Sequence, residues 1–191
     1  PTAKKAKRIV LVAGTRSHGT LAHEFNAGCT ILKKCLDQVQ GVETVLYTNG
    51  FPDAPNAFDG ADAVFIYMDG GSGHGAIQGD RLKVLEGLVK KGVGIACAHY
   101  AVEVPAEKGG KEWLDWLGGY YETHFSCNPM WEAEFKEFPK HPITRGVKPF
   151  KVKDEWYINM RFRPEMRGVT PILVASPSDA TRNGPYVAPA G

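Results

Sequence analysis

Gly92-Val93-Gly94-Ile95-Ala96-Cys97-Ala98-His99-Tyr100-Ala101-Val102-Glu103 is the stretch whose reading decides the fold. It opens as a short apolar run fit for a buried parallel strand and stops abruptly at an imidazole. Open α/β sheets bind ligands outside the carboxyl ends of their strands, so a residue at such a stop is well placed for chemistry. Small residues, Cys97 and Ala101, stand two positions to either side of His99. That is the pattern of a nucleophile elbow, a sharp strand-to-helix turn that crowds its neighbours, here with histidine at the tip.

Upstream, residues 8–13 read as a first buried strand closed by Gly14. A helix is predicted over residues 21–39, because Leu21, Phe25, Gly28/Cys29, Leu32 and Leu36 recur at spacings of three and four and mark one buried stripe. Residues 42–47 form a second expected strand, ended by the Asn49-Gly50 turn, and residues 63–68 a third. Leu82, Leu85, Leu88 and Val89 line another helix, which Lys90-Lys91-Gly92 finishes. This alternation predicts an α/β, doubly wound, mainly parallel sheet with helices on both faces, a three-layer sandwich.

Downstream of Leu117 the pattern changes. Aromatic and charged residues alternate over 131–138 and 150–158, which reads as half-exposed strands in an antiparallel extension. Residues 170–175 are expected to form a last buried strand, and the Pro- and Gly-rich tail 176–191 is assigned no structure. The 191 residues suit one domain, with 43% hydrophobic and 23% charged residues as in ordinary soluble proteins. A net charge of +2, with much of the basic excess in Lys4-Lys5-Ala6-Lys7-Arg8, argues against nucleic acid as a partner. No apolar run reaches the ~18 residues of a membrane span. The four cysteines show no CxxC spacing, which argues against a zinc ribbon. The chain opens at Pro1 rather than Met, so cytoplasmic and periplasmic or secreted locations both stay open.

Three expected strand ends bring polar groups to one edge. The first loop offers Arg16, His18 and, just beyond, His23; the third offers Asp69, Gly71, Gly73 and His74; the fourth offers His99, Tyr100 and Glu103. Converging loops predict a cleft in which Arg16, Asp69, Gly71, Gly73, His74 and Tyr100 contact substrate. Gly71-x-Gly73-x-x-Ala76 loosely fits a dinucleotide fingerprint, but it follows the third strand and lacks the Lys-Ser/Thr of a phosphate loop, so no nucleotide is expected. His23-Glu24-Phe25-Asn26-Ala27 begins like a zinc-protease helix without its second histidine. His18 and His23 would lie about 140° apart on a helix, so they share a site only if His18 precedes the helix and turns inward. His124 sits in the aromatic cluster of residues 120–127, and His141-Pro142 marks a turn. In Asp154-Glu155-Trp156-Tyr157, Glu155 and Tyr157 share one strand face, from which a carboxylate can orient an imidazole or complete a metal shell.

Several of these blocks together resemble the ThuA-like (trehalose utilisation) family, relatives of class I glutamine amidotransferases. They are Leu11-Val12-Ala13-Gly14-Thr15-Arg16-Ser17-His18-Gly19, the loop 69–74, Ala98-His99-Tyr100-Ala101-Val102-Glu103, His141-Pro142-Ile143-Thr144 and Asp154-Glu155-Trp156-Tyr157. The resemblance implies a flavodoxin-like sheet and a role in sugar catabolism, of trehalose-like disaccharides or their keto derivatives. It also implies a C-terminally truncated domain, since family members continue with a further strand, a Gly-Gly-His type motif and a closing helix. The amidotransferase elbow carries a cysteine where His99 stands, and Cys97 is expected to be buried in the strand, so a cysteine glutaminase is not expected.

The expected activity is a metal-assisted hydrolase or lyase acting on disaccharides, glycosides or 3-keto derivatives. His18, His23, His99 and His124 are the candidate ligands, and imidazole suits zinc. His99, Glu103, Glu155 and Tyr157 are the candidate catalytic residues. The alternative is a non-catalytic carbohydrate-binding or accessory module. Either takes a small sugar as its partner, and self-association stays open.

Overall fold

A computed structural model describes residues 5–184. The chain divides into two compact units, the first running to Leu117 and the second beginning at Gly118.

In the first unit the apolar run in β1 (Lys7–Ala13) leaves no polar face, and the strand takes a position between neighbours. It pairs in parallel with β2 (Val42–Tyr47) on one side and β3 (Ala63–Tyr67) on the other, and β3 pairs in parallel with β4 (Gly94–Cys97). The order β2-β1-β3-β4 is that of a flavodoxin-like, doubly wound sheet, with loops converging at the carboxyl edge. Residues in parallel register share a face. Ala13 and Tyr67 are such a pair, and Phe25 and Cys29 of helix α1 (Phe25–Leu36) pack with Ala13 against them. Gly28 allows this approach, since a Cβ there would lie 2.8 Å from the Tyr67 ring. Val10, Val12, Val64 and Ile66 face the opposite way and are fully buried, so these central strands are covered on both sides.

Helix α2 (Arg81–Lys90) follows β3 and buries Leu85 completely. Beyond β4 a 3-10 turn (His99–Val102), the short β5 (Glu103–Val104) and α3 (Lys111–Trp116) with fully buried Trp113 complete the unit.

The second unit contains two antiparallel pairs: β6 (Gly119–Glu122) with β9 (Arg161–Phe162), and β7 (Met130–Phe135) with β8 (Phe150–Glu155). β7 alternates, burying Ala133 and Phe135, whereas most of β8 is exposed. His141 caps a 3-10 turn (Pro142–Thr144), its Nδ1 accepting from the Ile143 N–H, as the turn reading of that motif anticipates.

Four expectations are corrected. The helix predicted over 21–39 spans only Phe25–Leu36, because Leu21 and His23 adopt positive φ, 69° and 50°, which a right-handed helix cannot contain. Leu21 is accordingly 91% exposed rather than part of the buried stripe. β4 is not buried throughout: Gly94 and Ala96 are exposed, on the same sheet face as Ala63 and Phe65. Residues 170–175 form no strand, and Val174 is 74% exposed. Within the tail, α4 (Asp179–Arg182) forms with Ser178 as its N-cap; residues 185–191 lie outside the described region. Among the described residues no helix is long and apolar enough to cross a membrane.

Candidate functional site

At the carboxyl edge of the first unit's sheet, the loop after β1 carries His18 and His23, the end of β3 carries Asp69, and the end of β4 carries His99. Two backbone features bring them together. Left-handed φ at His23 and His99, 50° in each case, turns both rings out of the direction the chain would otherwise give them. Such conformations cost about 1–3 kcal/mol in a non-glycine residue and persist where the surroundings hold them. Gly70 lets the β3 and β4 loops touch, since a Cβ there would collide with the Tyr100 carbonyl oxygen and lie 2.7 Å from Glu103 Cβ.

The resulting group is tight. The His18 and His23 rings lie 3.8 Å apart between centroids, and their Nδ1 atoms stand 3.5 and 3.6 Å from Asp69 Oδ1. His23 Nε2 lies 3.1 Å from His99 Nε2, a ring-to-ring hydrogen bond. Ser17 Oγ lies 2.7 Å from His18 Nδ1. Tyr100 sets its ring edge-on to His23 at 5.4 Å. His23 Nδ1 and Asp69 Oδ1 are both buried, and neither has a hydrogen-bond partner. Buried polar atoms are rarely left so.

The donor set fits a divalent cation. Separations of 3.5–3.6 Å are too long for hydrogen bonds. Ligands about 2.0–2.1 Å from a common ion stand about 3.4 Å apart at tetrahedral angles. Two imidazole nitrogens and one carboxylate oxygen match the three protein ligands of an open catalytic zinc site. His18, His23 and Asp69 form one group able to hold such an ion. His99 faces the other nitrogen of His23, and Asp69, expected as a substrate contact, supplies the carboxylate.

Burial and neighbouring charge set the rest of the electrostatics. Desolvation, then the carboxylates of Glu103 and Asp69, raise the Tyr100 phenol above its usual range. Desolvation also pushes the Cys97 thiol up, away from a reactive thiolate.

Comparison with known proteins places the chain in a family. The family model described as ThuA, trehalose utilisation, matches residues 10–190. The chain belongs to the ThuA family. Among solved structures, this ThuA chain resembles a ThuA-like protein from Parabacteroides merdae ATCC 43184, with a TM-score of 0.52 and 16% identity. The match covers 83% of the chain and 64% of that protein, so the ThuA chain spans less than two thirds of its length. At that identity the likeness concerns the fold. No curated protein matches.

The remaining candidates of the ThuA chain have different surroundings. His74 is fully buried rather than open to substrate: its Nδ1 accepts from the Ala76 N–H and its Nε2 donates to the Ala101 carbonyl, 3.0 Å away. Arg16 is exposed and donates to Thr20 Oγ1. Gly71 is buried beside Glu103, while Gly73 is exposed. In the second unit His124 is exposed, Glu155 is half-buried at the end of β8, and Tyr157 packs edge-on to Tyr121 at 5.2 Å. Two residues escape sequence reasoning. Ser17 could have been found from its adjacency to His18. Trp113, whose Nε1 donates to the same Ala101 carbonyl, gives no such signal from its place in a distant helix.

Proposed function

We propose that the chain is a metal-assisted enzyme of carbohydrate catabolism, a hydrolase or lyase acting on trehalose-like disaccharides, glycosides or their 3-keto derivatives. The observation that carries the reading is the pair of buried, partnerless atoms, His23 Nδ1 and Asp69 Oδ1, with His18 Nδ1 beside them. Family membership supplies the sugar.

His18, His23 and Asp69 would hold the ion, zinc by its donor set. Once bound, such an ion polarises a carbonyl or glycosidic oxygen as a Lewis acid. His99 is a positioning residue: it accepts the His23 Nε2–H, which leaves the His23 Nδ1 lone pair directed at the Asp69 side. Tyr100, kept protonated by desolvation and two carboxylates, donates its hydroxyl hydrogen to a substrate oxygen. Glu103, half-buried against Gly70 and Gly71, accepts the proton of a C–H beside a substrate carbonyl, the C–H electron pair forming a double bond as the neighbouring glycosidic C–O bond breaks and its oxygen takes the Tyr100 proton.

Metal analysis of chelator-free protein, paired with a turnover assay on 3-keto-glycosides, tests this. Roughly one divalent ion per chain is expected, with affinity falling about 10- to 100-fold in His99→Ala as its support of His23 is lost. Protein without metal, together with full activity of His99→Ala, would falsify the reading.

A further inference from the structure

A second polar hollow adjoins the histidine group and shares Asp69 with it. Its volume is about 360 Å³, at the small end of ligand sites, and it suits a single sugar ring. Its walls come from the ends of three parallel strands and the start of α2: Thr15, Asn49, Asp53, Asp69, Gln78 and Arg81, over Phe51 and Met68 as a largely buried floor.

The charged groups in this hollow are arranged in an informative way. Arg81 donates to Asp53 Oδ1 and to the Gly75 carbonyl, both at 2.9 Å, and its guanidinium lies 5.2 Å from the Phe51 ring centroid. The guanidinium is thus fixed in place and already neutralised. One guanidinium and two carboxylates line the space; with Asp69 given to the ion, Arg81 and Asp53 are left to balance one another. A phosphate or carboxylate entering on the Arg81 side finds that guanidinium already matched by Asp53. Hydroxyl groups meet something different. Two bonds leave most of the guanidinium's five N–H donors unspent, while Asp53, Asp69 and the Thr15 hydroxyl, which itself donates to the Asn49 carbonyl, can all accept. Donors and acceptors set side by side around a small hollow are what adjacent ring hydroxyls require.

We infer that this hollow is the subsite for a neutral, polyhydroxylated sugar ring, and that the Asp53–Arg81 pair selects it against phosphorylated or otherwise anionic sugars. The inference rests on the proposed carbohydrate reading and names its substrate class. The bond to be broken then lies on the Asp69 side of the ring.

Calorimetry of the whole chain with trehalose and with trehalose 6-phosphate tests it. The parent is expected to bind trehalose at least about tenfold more tightly than the phosphate ester. Asp53→Asn removes one carboxylate and frees Arg81, on a side chain that is 86% exposed, so the fold should be kept. In this variant trehalose should weaken about tenfold or more while the phosphate ester gains, narrowing or reversing the preference. Three results overturn the inference: no trehalose binding by the parent, a phosphate ester bound as tightly as trehalose, or Asp53→Asn affinities within about twofold of the parent's. Metal content and turnover, measured on the same samples, separate the two readings. Metal and turnover with an unresponsive Asp53→Asn defeat only the subsite; a responsive Asp53→Asn in metal-free, inactive protein defeats only the metal reading.

Discussion

His74 and His23 are both imidazoles held at the carboxyl edge of one parallel sheet, yet their surroundings are opposites. Both ring nitrogens of His74 are bonded to backbone, and its ring packs edge-on to Trp113 at 5.3 Å between centroids. His23 keeps one nitrogen without a partner, beside a carboxylate oxygen in the same state. The first is a joint: His74 and Trp113 grip the Ala101 carbonyl and so fix the turn that carries His99 and Tyr100. The second is open on one side: His23 Nδ1 and Asp69 Oδ1 face each other at 3.6 Å with no hydrogen bond between them. A histidine whose bonds are complete serves the scaffold; the one with a nitrogen left open is where the proposed chemistry is put to the test.

The sharpest way to break this contrast is to cut the joint. His74→Ala leaves a cavity and an unpaired Ala76 N–H, and denaturant unfolding should show a loss of about 4 kcal/mol. Unchanged stability would mean that the Ala101 carbonyl is held by Trp113 alone.

Acidity acts on the same joint a little less strongly. Desolvation lowers the His74 pKa from 6.5 to about 4. An unfolded chain takes up this proton as pH falls through 6.5, while the folded chain resists until about 4. Between those values the unfolded state binds more protons, so stability falls as pH falls, by about 3 kcal/mol in all. Below pH 4 this loss is complete, and above 6.5 the group contributes no slope. Unfolding measured across that window should lose this component in a His74→Phe variant, whatever the variant's absolute stability.

The sequence discloses the scaffold better than the site for reasons visible in particular residues. Residues 9–13 and 64–66 are apolar without interruption, and burial on both faces leaves no other arrangement for them. The exposed Gly94 and Ala96 read as equally apolar, because small residues suit an open edge as well as a core. His99 and His74 look alike in sequence, each an imidazole in a small-residue loop after a strand, and only tertiary contacts separate them. The early end of the predicted helix rests on positive φ at Leu21 and His23, residue types that seldom adopt it. Asp53 and Arg81 stand 28 residues apart in segments of ordinary surface composition, and their pairing is a property of the fold. The apolar run 170–175 makes no ladder, and hydrophobicity without a partner strand does not make a strand.

The smallest expected effect is the most diagnostic. Asp69→Asn replaces a buried acceptor that has no donor with a carboxamide whose N–H needs to move only a few tenths of an ångström to bond His23 Nδ1. If the cluster served the fold, removing its carboxylate would destabilise the chain as losing the His74 joint does. If it serves a cation, the apo protein should hold its stability within about 1 kcal/mol, or gain slightly, because an unsatisfied pair becomes a satisfied one. The cation-dependent part should vanish. Added zinc stabilises a folded chain that binds it by an amount that grows with concentration, and Asp69→Asn should lose that increment while keeping the apo midpoint. Thermal unfolding of parent and variant, with and without zinc, separates the two, and a variant as zinc-responsive as the parent would place any bound ion away from Asp69.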